Sequence, residues 1–69
     1  MNNLFIEDLR LSALRDFLDT KGYAMFYERN EGLIFIDIYS LENIEKHMQI
    51  SVNYEKDFHL LEDKIYKIK

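Results

Sequence analysis

Sixty-nine residues allow one domain and no more, read as a single compact α+β domain over 1–69. Nearly half the side chains are apolar, with five Phe and five Tyr, which excludes a disordered polymer; no cysteine is present, which excludes disulfides and thiolate metal sites. Thirteen acids against nine bases give a net charge of −4, poor material for gripping phosphates and compatible with a basic protein partner or with solubility alone.

The spacing predicts a helix over 4–21. Ile6, Leu9, Ala13, Leu14, Phe17 and Leu18 recur at threes and fours, Asn3 is a candidate cap, and Glu7 and Asp8 sit near the positive end of the helix dipole. Gly22 falls where a left-handed stop is wanted, with Tyr23 and Leu18 placed for the hydrophobic contact of a Schellman motif.

Residues 23–39 read as an antiparallel β-hairpin, because Tyr23–Glu28 and Leu33–Tyr39 are rich in aromatic and β-branched residues. A three-residue loop, Asn30-Glu31-Gly32, puts Gly32 in the left-handed position of a type I turn plus bulge. That register pairs Tyr27 with Phe35 and Phe26 with Ile36, and it makes both faces apolar. One face carries Ala24, Phe26, Ile34, Ile36 and Ile38. The other carries Tyr23, Met25, Tyr27, Leu33, Phe35, Asp37 and Tyr39, the candidate partner or dimer interface. One helix covers one face. The second requires the C-terminal half of the chain, a twin subunit or a foreign protein. Asp37, the one charge inside an apolar strand, is expected at a rim or paired, with Arg29 or with a partner's base.

After Ser40, a good cap, a short helix is predicted over 41–47. A third strand follows over 48–54, where Met48, Ile50, Val52 and Tyr54 alternate with polar residues. A last helix spans 57–68, capped by Asp57 and striped by Phe58, Leu61, Ile65 and Ile68. The alternative is one long C-terminal helix after the hairpin, on the three-and-four spacing of Ile44, His47, Ser51, Tyr54, Phe58, Leu61, Ile65 and Ile68. The favoured order, one helix, three strands and a second helix, resembles the double-stranded RNA-binding domain in topology. That module grips phosphates with lysines where this chain has Asp57-Phe58-His59-Leu60 followed by Glu62 and Asp63, so its function is not carried over.

The chemistry-bearing residues do not converge. Ser12 and Thr20 belong to a helix and Ser40 is a cap; two isolated glycines build no phosphate loop; the paired acids Glu7/Asp8 and Glu62/Asp63 diverge by about 100° on a helix. His59 with Glu55 and Glu62 or Asp63 lacks the spacing of a zinc helix. No enzyme, cofactor or metal is therefore expected. Without a leader-like N-terminus, an apolar run of membrane-spanning length or a cysteine, the expected compartment is cytoplasmic, with no membrane association.

The functional expectation is a small acidic protein-binding module, a stoichiometric regulator or inhibitor of a larger protein. It resembles compact phage or mobile-element proteins in size and composition only. Glu28, Glu31, Glu42 and Glu45 form its candidate acidic contact surface, and a homodimer is expected because so short a chain has little stability to spare. The alternative is a nucleic-acid-binding regulator using the basic tail, where Lys64, Lys67 and Lys69 surround Tyr66.

Overall fold

A computed structural model describes residues 8–69. The element order is α1 (Leu9–Thr20), β1 (Tyr23–Asn30), β2 (Leu33–Ser40), β3 (His47–Asn53) and α2 (Phe58–Tyr66). The strands form one antiparallel sheet in the order β1-β2-β3. This is the expected helix, hairpin, third strand and C-terminal helix.

Helix α1 starts where Asp8 caps it. The Asp8 carboxylate accepts from the amides of Arg10 and Leu11 at 3.0 and 3.3 Å, satisfying two of the orphan donors of the first turn. The expected cap at Asn3 lies outside the described residues, as does Ile6. Of the expected stripe, Leu14 and Leu18 are buried and Phe17 packs against the core, while Leu9 and Ala13 are exposed and Leu11 is buried in their stead. Three leucines at i, i+3 and i+7 make a larger apolar face than Leu9 and Ala13 do, and both of those point outward. Gly22 ends the helix at φ +85°, its amide bonded to the Asp19 carbonyl at 3.1 Å.

The hairpin loop has two residues, not three. Glu31 and Gly32 both take positive φ, +52° and +84°, the combination of a type I′ turn, whose twist matches the flanking strands. Asn30 consequently pairs with Leu33, Arg29 with Ile34, Tyr27 with Ile36 and Met25 with Ile38. The expected pairings of Tyr27 with Phe35 and Phe26 with Ile36 are each off by one residue. Because side chains alternate with a period of two, that single step turns all of β1 over.

The segment 41–46 is a loop, where a helix was expected. Ser40 does make the cap bond, its Oγ accepting from the Asn43 amide at 3.2 Å. Asn43 then accepts from Glu45 and Lys46 and closes a turn, and the Ser40 amide reaches the Lys46 carbonyl to begin the β2–β3 ladder. Six residues with Leu41 and Ile44 exposed have too little burial to offset helix nucleation. At the far end of β3, Asn53 Oδ1 accepts from the amides of Glu55 and Lys56, an Asx-type turn that leads into α2. Asp57 occupies the cap position, but its side chain makes no cap bond.

Both helices lie on one face of the sheet. A single core joins Leu11, Leu14 and Leu18 of α1, Phe58, Leu61 and Ile65 of α2, and Met25, Ile34, Ile36, Ile38 and Ile50 of the strands. Phe17 and Tyr66 meet edge to face at 4.8 Å between the helices. One end is closed by Tyr54, whose hydroxyl accepts from Arg10 at 2.9 Å and whose ring lies 3.8 Å under the Arg29 guanidinium. No helix among the described residues is long and apolar enough to cross a membrane.

Candidate functional site

Since α1 and α2 share one face of the sheet, the other face is left open by the described residues. The C-terminal half does not cover it; α2 joins α1 on the core side. The strand registers define what the open face presents. From β1 come Ala24, Phe26, Glu28 and Asn30; from β2, Leu33, Phe35, Asp37 and Tyr39; from β3, His47, Gln49, Ser51 and Asn53.

The apolar part of this surface is large for so small a chain. Phe26 is 60% exposed, and Phe35 and Leu33 are each 40% exposed. The loop after β2 extends it, with Leu41 at 66% and Ile44 at 76%. Together with Ala24, Phe26 and Tyr39, these two loop residues line an open apolar depression of about 300 Å³ at one end of the face. Exposed apolar clusters rimmed by polar residues mark interaction surfaces.

The polar centre of the face is organised around Asp37. Its Oδ1 accepts from Gln49 Nε2 at 3.0 Å and lies 3.0 Å from His47 Nε2, which donates when that nitrogen carries the proton. The hydrogen bond from Gln49, then the one from His47, holds the Asp37 carboxyl below its ordinary value; partial desolvation opposes them. The His47 ring is stacked on Tyr39 at 4.2 Å and an interplanar angle of 2°, and Phe26 meets Tyr39 edge to face at 6.1 Å. Tyr39, His47 and Asp37 therefore brace one another, and the exposed aromatic edge of Phe26 stands beside them. Asp37 does not pair with Arg29, which lies on the core side against Tyr54.

The candidate interface read from the sequence is split by the register. Leu33, Phe35, Asp37 and Tyr39 are together on the open face. Tyr23, Met25 and Tyr27 face the helices, with Met25 buried and Tyr23 packed on the core. Phe26 and Ala24 take their places outside. The acidic residues are likewise dispersed. Glu28 stands on the open face opposite Phe35, Glu31 is in the turn, and Glu42 and Glu45 lie in the loop at the other end of the strands, about 25 Å away along an eight-residue strand. Sequence reasoning missed Phe26, His47 and Gln49. The signal for Phe26 was available: its register put Glu28 on the core side, where a carboxylate finds no aromatic to lie on, whereas Arg29 can stack there.

The strand residues of this face include Glu28 and Asp37 but neither Lys nor Arg. In the basic tail, Lys64 belongs to the last turn of α2 and the Tyr66 ring is engaged by Phe17. Among the described residues, no group of three or more His, Asp or Glu side chains is placed to hold a metal ion. No family model matches the chain, and neither a curated protein nor a solved structure matches it.

Proposed function

We propose that this chain is a stoichiometric protein-binding module, a small regulator or inhibitor that docks the open face of its sheet onto a larger protein. The observation that carries the reading is the composition of that face: exposed Phe26, Phe35 and Leu33 around a centre whose carboxylates have no Lys or Arg beside them on the strands. Aromatic side chains provide contact area at low entropic cost, and acids with no Lys or Arg on the same face favour a target whose apolar patch is rimmed by Lys and Arg. Open sheets with aromatics also stack nucleic-acid bases. Here the acids would repel the phosphates that such binding must engage, and the protein reading is preferred.

The test is a comparative capture from the cells that express the protein, read by mass spectrometry. Wild type, Phe26→Ser, Phe35→Ser and Leu60→Ser are immobilised in parallel; Leu60 is an exposed residue of α2 on the opposite side. A protein retained by wild type and Leu60→Ser but lost from both Phe variants supports docking through the open face. Recovery that is equal on all four, or none above background, rejects it.

A further inference from the structure

We infer that β3 is a pairing edge, through which two copies of the chain join antiparallel about Ile50 into one six-stranded sheet. This does not depend on the docking function proposed above, because it uses the strand's edge and not its open face.

The direction of the backbone groups follows from two hydrogen bonds. The Tyr54 amide donates to the Gly32 carbonyl, and the Lys46 carbonyl accepts from Ser40. The even-numbered residues from 46 to 54 therefore turn their backbone groups toward β2. By alternation His47, Gln49, Ser51 and Asn53 turn theirs outward. Among the described residues, the backbone partner recorded for these outward groups is the Asp57 amide on the Asn53 carbonyl. Unpaired outward groups along an edge are a template for another strand.

Edge strands are ordinarily blunted by Lys, Pro, an inward charge or a bulge. β3, His47–Asn53, contains no Lys, Arg, Asp, Glu or Pro, and its pairing with β2 runs without a bulge over all seven residues. β1, the other edge, carries Glu28 and Arg29.

The strand also matches itself. An antiparallel pair centred on Ile50 uses all seven residues and sets Gln49 opposite Ser51 and His47 opposite Asn53 of the second copy. These are the outward-bonding residues: Gln49 and Ser51 exchange both bonds directly, and at each end the Asn53 amide reaches the His47 carbonyl while the Asn53 carbonyl, already bonded to the Asp57 amide, has one lone pair left for the His47 amide. On the core side the same register sets Met48 opposite Val52 and Ile50 opposite its own copy. Polar meets polar, apolar meets apolar, and no like charges oppose. The contact is isologous and closes with two subunits.

Sedimentation equilibrium from micromolar to millimolar protein tests this. Wild type is expected to pass from 8.4 kDa to twice that mass. Ser51→Pro removes an outward amide and leaves the β2–β3 ladder whole; it should weaken the dimer roughly tenfold or more while the far-UV circular dichroism is kept. Two double variants check the register independently of proline. Gln49→Lys with Ser51→Glu places opposite charges across the axis and should dimerise at least as well as wild type, whereas Gln49→Lys with Ser51→Lys should be monomeric. A wild type that stays at 8.4 kDa throughout overturns the inference. So does a dimer that ignores the paired lysines, or one dissociated by Phe35→Glu and untouched by the edge variants, which would move the contact to the open face.

Discussion

Glu31→Asn should stabilise the protein, and the size of the gain follows from one dihedral angle. Glu31 sits at φ +52° in the turn between β1 and β2. A residue with a Cβ pays ~1–2 kcal/mol in the left-handed region, and Asn, whose short side chain bonds locally, pays less. The exchange should therefore return about 0.5–1 kcal/mol, and it creates the Asn-Gly pair that type I′ hairpins prefer. In a chain of this size 1 kcal/mol moves the thermal midpoint by ~4–8 °C, so the expected rise is about 2–8 °C. Urea unfolding followed by circular dichroism gives the free energy, and a thermal scan gives the midpoint. Had the loop three residues, Glu31 would be right-handed and the substitution close to neutral. A midpoint that is unchanged or lower therefore refutes the two-residue turn and the strand register built on it.

Three further outcomes are expected. Ile36→Ala, at the buried centre of β2, should cost ~2–5 kcal/mol, while Phe35→Ser on the next residue costs far less; comparable losses in urea titrations would contradict the assignment of faces. Gly32→Ala at φ +84° should cost about 1 kcal/mol from backbone strain alone, since nothing lies within 4 Å of the added Cβ, and an unaffected midpoint would argue against a left-handed Gly32. Asp37 has a folded-state value below its unfolded one, so the stabilisation it gives is present above the unfolded value, ~3.9, and is lost as the pH falls through the lower folded value. Asp37→Asn should therefore flatten the loss of stability below about pH 4, and parallel acid limbs for the two proteins would refute this.

Most of the fold was legible, although the third strand had a rival in the three-and-four spacing of one long C-terminal helix. The alternation of Met48, Ile50 and Val52 with polar neighbours gave the third strand, and Phe58, Leu61 and Ile65 gave the last helix. The Gly22 stop was equally plain. What failed was the turn. Glutamate is an uncommon left-handed residue, so Glu31-Gly32 did not announce a type I′ loop as Asn-Gly would. The strands could not correct the error, because β1 has Tyr23, Met25 and Tyr27 on one face and Ala24 and Phe26 on the other. With apolar residues on both sides, a slip of one residue costs nothing visible in the pattern. The Ser40 cap was legible and real, but a cap bond closes a turn as readily as it starts a helix. The His47 and Gln49 bonds to Asp37 depend on the β2–β3 register, which local periodicity does not set.

The open face exists only if β1 and β2 pair as described, and through-space proton contacts read that pairing directly. The Leu41 amide bonds to the Gly22 carbonyl, so alternation makes Tyr27–Ile36 and Met25–Ile38 the close, non-hydrogen-bonded pairs, with Cα atoms about 4.5 Å apart. Strong Hα–Hα contacts are expected between Tyr27 and Ile36 and between Met25 and Ile38, placing Phe26 outside beside Tyr39. A strong Hα–Hα contact between Phe26 and Ile36 instead would turn β1 over, put Phe26 in the core, and remove the surface on which the proposed function rests.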